Sequence, residues 1–414
     1  MNHILVWVIA ASTVLLILAG PRRIPEAVWA CLGAAILVAC RFISPRDALA
    51  AVGRGTDVYL FLTGMMMLAE LARREGFFDW VAVEAVELAK GSPTRLFAIV
   101  YAVGTVVTIF LSNDATAVVL TPAVLAALKK ARAKPLPYLF ICAFIANAAS
   151  FVLPISNPAN LVVYGSKMPA LAVWFRSFGL PSLISIAVTF AVLRFCCRKD
   201  LAGAIEHHVD AVILSRGGKF AAYGIGGAAV ALILASAFDI ELGLPTLLAA
   251  VAATALVTFH DRQAPLGIVK HISWSVLPLV AGLFVMVAAV DQAGALALSQ
   301  DALEKAAALG PVAGSLSAAF GVAFLSNIAN NLPVGLIAGS ALHGSTEAIR
   351  NAVVIGVDLG PNLSVSGSLA TILWLIALRR DGEDVGFWKF LRYGLVVMPP
   401  ALALAVLASR WTLR

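Results

Sequence analysis

The sequence predicts an all-α polytopic membrane protein made of two inverted-topology repeats, each with about five transmembrane helices, a re-entrant helical hairpin and a discontinuous helix. Three observations lead there. The 414-residue chain is 61% hydrophobic and only 13% charged, with a mean hydropathy of +0.94; soluble domains run at about 45–50% apolar and roughly 25% charged. Apolar runs near the roughly 20 residues needed to cross a bilayer recur from end to end, so no sizeable soluble domain is expected. Finally, the order of polar breaks in the first half returns in the second.

The repeat is visible at three offsets. At 218, "LTGMMMLAELARREGFFDW" (62–80) lies over "VAGLFVMVAAVDQAGALAL" (280–298), so that Gly64 meets Gly282 and Gly76 meets Gly294. At 214, the Phe-Leu-Ser-Asn of "FLSNDATAVVLTP" (110–122) coincides with that of "FLSNIANNLPVG" (324–335). At 211, "NAASFVLPISNPANLV" (147–162) meets "DLGPNLSVSGSLATIL" (358–373), with Asn147 over Asp358 and Ser156 over Gly367. Ordered internal symmetry of this kind is what transporter folds carry.

The elements follow in order. The first half reads as spans 4–20, 25–42 and 57–75, an interfacial helix at 76–90, hairpin arms 94–112 and 115–130, a broken span 136–166 and a final span 171–195. The run from Ile4 has no basic stretch before it and belongs to the repeat, so it is read as an uncleaved span. The second half reads as spans 219–238, 244–260 and 274–291, arms 309–326 and 331–343, a broken span 346–378 and a span 388–408. Asn113 and Asp114 alone separate the first two arms, too few residues for an aqueous loop. The hairpin tips are therefore expected inside the protein, because lipid cannot satisfy non-helical backbone.

Five crossings per half is odd, which inverts the second half. Domains are expected at 1–195 and 219–414, joined by a cytoplasmic linker at 196–218. With the N-terminus outside, the inner segments carry 21 of the 30 Lys and Arg, among them Arg22, Arg23, Lys129, Lys130, Arg132 and Lys134, and the outer segments nine. That satisfies the positive-inside rule and places both termini outside. The net charge of +7 then reflects membrane orientation, with no case for nucleic acid.

Charged groups at mid-membrane mark ion or substrate pathways by default. Asp114 sits at a hairpin tip and Asp358 in the opposite broken helix. Around them the repeats gather Asn113, Thr116, Asn327, Asn330 and Asn331 from the tips, and Asn147, Ser156, Asn157, Ser366, Gly367 and Ser368, with Asn160, Asn362 and Ser364, from the breaks. Pro154, Pro158, Pro333 and Pro361 interrupt the helices there. No Lys or Arg lies in either tip or break, so a small neutral polyol-like solute fits better than an anion. A carboxyl removed from water can bind and release protons near neutral pH, which makes proton coupling available.

Other polar features read as structural. Cys31, Cys40, Cys142, Cys196 and Cys197 show no metal-ligand spacing, and most act as small hydrophobes. His207 and His208 are adjacent and form a weak metal signal. Neither a metal nor a cofactor is expected. Glu70 is expected to snorkel beside Arg73 and Arg74. "GIGGAA" (224–229) reads as close helix packing, since no strand precedes it.

The chain resembles the ArsB-type arsenite efflux permeases, within a wider ion-transporter superfamily that includes sodium–proton antiporters and dicarboxylate carriers. The resemblance spans nearly the full length and rests on "SNDATAVVLTP" (112–122), "REGFFDW" (74–80), "FLSNIANNLP" (324–333) and "VIGVDLGPNLSVSGSLATILWL" (354–375). It implies extrusion of arsenite and antimonite as neutral trihydroxides from the cytoplasm of a bacterium, across the inner membrane, in exchange for protons. In some members a cytosolic arsenite-stimulated ATPase docks on the permease. Asn147 stands where relatives can carry an acid, which leaves Asp114 and Asp358 as the proton-coupling candidates.

A sodium-coupled anion carrier or sodium–proton antiporter on the same scaffold is the alternative. An intramembrane aspartyl protease using Asp114 and Asp358 would need both on one water, and no other catalytic grouping accompanies them.

Overall fold

The computed structural model describes residues 3–19, 24–165, 168–206, 212–238, 240–261 and 266–413. Arg22, Arg23, His207 and His208 lie outside the described residues. Every described regular element is helical. The first half runs α1 (His3–Ala19), α2 (Glu26–Ala39), α3 (Pro45–Arg54), α4 (Thr56–Arg74), α5 (Phe77–Ala89) and α6 (Pro93–Leu111). Next come α7 (Asn113–Ala115), a π-helical turn (Thr116–Leu120), α8 (Thr121–Lys130), α9 (Leu136–Ala148), α10 (Pro158–Tyr164) and α11 (Leu171–Cys197). The second half repeats the order: α12 (Arg216–Ala237), α13 (Gly243–Asp261), α14 (Leu266–His271), α15 (Val276–Gln292), α16 (Ala295–Ala308), α17 (Pro311–Ala329), α18 (Asn331–Ala341), α19 (Glu347–Leu359), α20 (Leu369–Arg380) and α21 (Phe387–Trp411).

Local chemistry explains the boundaries. Ser44 accepts from Asp47 N–H at 3.0 Å, with Pro45 at the first helical position of α3; a capping hydroxyl followed by proline starts a helix cheaply. Ser92 and Pro93 do the same for α6. Gly76 (φ +72°) and Gly294 (φ +100°) turn the chain after α4 and α15, in a conformation glycine adopts without steric cost. The second turn bends α16 away from α15 by 76°.

Among the described residues, five helices have the length and apolar composition of a bilayer crossing: α6, α11, α12, α17 and α21. Two of these, α6 and α17, are the first arms of the hairpins. Several expected crossings, by contrast, are shorter: α1, α2, α9 and α13 are apolar but fall below that length in their best stretch. The expected broken spans are broken as foreseen. Irregular turns around Pro154–Ser156 separate α9 from α10, and Gly360–Leu363 with Val365–Gly367 separates α19 from α20.

The two halves share one core. Helix α4 packs on α13, α2 on α15, α11 on α21 and α10 on α18. The aligned glycines sit at two of these crossings. A Cβ on Gly64 would lie 2.7 Å from the Thr246 backbone, and one on Gly282 would lie 2.8 Å from the Ala30 backbone. Helix α5 is more buried than an interfacial helix requires, with Phe78, Ala82, Val83, Val86 and Ala89 covered. Glu70 pairs with Arg73 through two bonds of 2.6 and 2.7 Å.

Candidate functional site

The hairpin tips are single residues. Ser112 (φ 101°, ψ 161°) ends α6, and Asn330 (φ 69°, ψ 148°) ends α17. This corrects the placement expected from the Phe-Leu-Ser-Asn match at 214. Asn113 and Asp114 begin the second arm, while Ser326 and Asn327 continue α17 for another turn before Asn330 reverses it. The structural offset of the tips is therefore 218, that of the flanking glycines. Asparagine tolerates positive φ better than most residues, which favours Asn330 as the tip. Ser112 holds the equivalent strained position by accepting from Ala115 N–H at 3.5 Å, and Asn330 accepts from Leu332 N–H at 3.3 Å.

Past the first tip, Thr116 opens the π turn. Its hydroxyl meets that of Thr108 at 2.8 Å, and its carbonyl accepts from Thr121 at 3.0 Å. A π turn inside an α-helix is rare and recurs at functional sites. Thr116 is fully buried and braces the hairpin.

The breaks are held by side chains from the opposite half. Asn157 donates through Nδ2 to Asp358 Oδ1 at 2.6 Å, and its Oδ1 caps α10 by accepting from Ala159 N–H at 3.0 Å. Ser368 donates to Asn147 Oδ1 at 3.4 Å and caps α20 by accepting from Thr371 N–H at 3.2 Å. Asn147 also donates to Asn362 Oδ1 at 3.0 Å. Ser156 is fully buried and donates to the Ile109 carbonyl at 3.0 Å, tying the first break to the first hairpin.

Asn327 is the second hairpin's clamp. Its Nδ2 donates to the carbonyls of Ala323 (2.7 Å) and Gly360 (2.8 Å), and its Oδ1 accepts from Ser364 N–H (2.9 Å) and Ser364 Oγ (2.7 Å). Ser366 donates to the Asn327 carbonyl at 2.9 Å. Two amide hydrogens and two lone pairs exhaust what an asparagine side chain offers. Gly367 lies against this clamp, where a Cβ would come within 2.7 Å of Asn327 Oδ1.

What remains open lies where tips and breaks meet. Asn113, Asp114, Asn157, Asn331 and Ser368 line a cavity of about 10 Å³ with Leu62, Pro158 and Val276, room for roughly one water. Asp114 N–H donates to Asn113 Oδ1 at 2.9 Å, while the carboxylate of Asp114 and the amide of Asn331 make no side-chain hydrogen bond among the described residues. Asp358 is fully buried, and its Oδ2 has no hydrogen-bond partner among the described residues. Among the described residues no Lys or Arg lines the cavity. These residues are legible in the sequence, but their partners Thr108 and Thr371 are not; Thr371 completes a capping box with Ser368 without the Glu or Gln that marks one in a sequence.

Two larger clefts lie at opposite ends of α4. One, of about 450 Å³, runs beside α18 and carries Arg54, Asp57, Glu241, Asp291 and His343. The other, of about 430 Å³, runs beside α8 and carries Arg73, Asp79, Lys129, Arg380 and Asp381. Asp57 and Arg73 are about 24 Å apart along the helix.

A helical bundle with paired hairpin tips and paired broken helices around a polar centre defines a secondary-transporter class of membrane protein. The family model described as "CitMHS: Citrate transporter" matches residues 8–361, and the chain belongs to that family. It is 28% identical over 431 aligned residues to the arsenical pump membrane protein of Escherichia coli K12, covering 98% of this chain and 99% of that one. A second E. coli arsenical pump membrane protein is 30% identical over 84% of both chains. An uncharacterized transporter of Mycobacterium tuberculosis is 26% identical over 98% of this chain and 97% of its own. Among solved structures, the YdaH transporter of Alcanivorax borkumensis, described as having an unusual topology, shares the fold with a TM-score of 0.59 at 15% identity, over 93% of this chain and 97% of that one.

Proposed function

We propose that this protein exports arsenite and antimonite, as neutral trihydroxides, from the cytoplasm across the inner membrane in exchange for protons. The observation that carries the proposal is the lining of the central cavity: amides, a hydroxyl and the Asp114 carboxylate, with no cationic side chain. A trihydroxide both donates and accepts hydrogen bonds at each oxygen, so Asn113, Asn157, Asn331 and Ser368 can replace its water without a counter-charge. The curated relatives named as arsenical pumps support the same substrate.

The two halves lie inverted, with both termini outside, so the α8 cleft opens to the cytoplasm and the α18 cleft to the outside. Substrate enters between the tips, and proton binding to Asp114 or Asp358 from outside favours its release. A cavity holding one water is then an occluded state, which opens as hairpins and broken helices move against the remaining spans. An arsenite-stimulated ATPase would dock on the cytoplasmic side, where 196–218 lies.

A second reading is a sodium-coupled anion carrier; the family model's description as a citrate transporter favours a carboxylate as that anion. A multiply charged anion in this cavity would face Asp114 with no Lys or Arg to balance it, which is costly in a low dielectric. Everted membrane vesicles separate the two. Uptake of arsenite driven by an acid interior supports the proposal; sodium-dependent citrate uptake without arsenite movement contradicts it.

A further inference from the structure

The repeat relates Asn157 to Ser368 and Asn147 to Asp358, each at 211. In the fold these residues bond crosswise. The residue that restarts each broken helix caps it, lines the central cavity and is held from behind by the other half: Asn157 by Asp358 at 2.6 Å, Ser368 by Asn147 at 3.4 Å. The two arrangements are equivalent in position and unlike in chemistry, because only one of the holding groups can change charge.

We infer that Asn157 and Asp358 form a proton-sensitive latch, in which Asn157 is the positioning residue that carries the state of Asp358 to the cavity, and that Ser368 and Asn147 form its proton-insensitive counterpart. This rests on the proton-coupled reading above. As a carboxylate, Asp358 accepts a charge-assisted bond from Asn157, roughly twice as strong as a neutral one. A proton arriving on Oδ2 forms one O–H bond, takes the side chain from −1 to 0 and leaves Oδ1 as a neutral acceptor. The amide of Asn157 is then free to turn toward a ligand oxygen.

The surroundings suit that step. Oδ2 of Asp358 is buried and has no hydrogen-bond partner among the described residues. Ser150 lies within reach of the Asp358 carboxyl; its hydrogen is given to the Asn147 carbonyl at 2.7 Å, so its lone pairs are available to a protonated carboxyl. Tyr164 on α10 shares the field of Asp358 with Glu347 and Arg350 near the start of α19, and the hairpin tip brings Asp114 to the same cavity. The first break contributes Asn157 and Ser150, both neutral.

The test has two arms. Melting temperatures in detergent at neutral pH are measured for the unaltered protein, Asn157→Ser, Asp358→Asn and the double variant. Serine caps α10 as well as asparagine does, but is too short to keep the bond to Asp358. The expected double variant melts no lower than the worse single one, whereas additive losses overturn the latch whatever the substrate.

In proteoliposomes with an acid interior, Asp358→Asn is expected to lose about tenfold or more of its arsenite accumulation, the scale of one hydrogen bond to a charged group. Moving the acid across the repeat, with Asn147→Asp and Asp358→Asn together, is expected to restore it. A folded double variant that stays uncoupled, or an Asp358→Asn protein that accumulates normally, overturns the latch alone. Arsenite flux through the unaltered protein that ignores the pH gradient overturns the coupled reading and the latch's role with it.

Discussion

At the scale of single residues, side chains alike in sequence divide into clamps and open groups. Asn327 spends its whole amide on the second break, so Asn327→Ala leaves a backbone carbonyl and N–H without their partner. It should cost about 1–3 kcal/mol, read as a lower melting temperature. Asn331 makes no side-chain bond of that kind and faces the cavity; Asn331→Ala should melt close to the unaltered protein and transport arsenite more slowly. Asp114→Asn should fold normally, since nothing described bonds to its carboxylate, and should lose gradient-driven accumulation. Full coupling in that variant would remove Asp114 from the mechanism. None of these distinctions was legible beforehand. Composition at the breaks announces a polar site, but which amide is saturated depends on partners up to 221 residues away, as for Ser368 and Asn147.

At the scale of elements, the sequence carried more. The aligned glycines, the two broken spans and the cap positions all fall where the offsets of 218 and 211 put them. The tips also lie at 218 and not at the 214 of the four identical residues, because the tip follows whichever residue can take positive φ. Ser112 and Asn330 hold conformations that cost about 1–3 kcal/mol for residues with a Cβ. Asn330→Gly relieves that strain and sacrifices only a few tenths in capping, so it should raise stability by about 1 kcal/mol. Asn330→Ala keeps the strain, loses the cap and should lower it. Equal melting of the two variants would show that the tip is unstrained. Gly64→Ala and Gly282→Ala should each destabilise the protein by about 1–3 kcal/mol, since the added methyl meets backbone of the facing helix.

At the scale of the whole molecule, two polar clefts lie at opposite ends of α4, and one small cavity lies where tips and breaks meet. That is the layout alternating access needs. The composition and the asymmetry of Lys and Arg were enough to foresee a polytopic chain, while the size of the cavity and the crossing of the halves required three dimensions. The most direct test is arsenite flux into proteoliposomes containing only this protein, with and without an acid interior, and with and without sodium. Accumulation should follow the pH gradient and ignore sodium. Flux that requires sodium, or cation exchange with no movement of arsenite, would contradict that expectation.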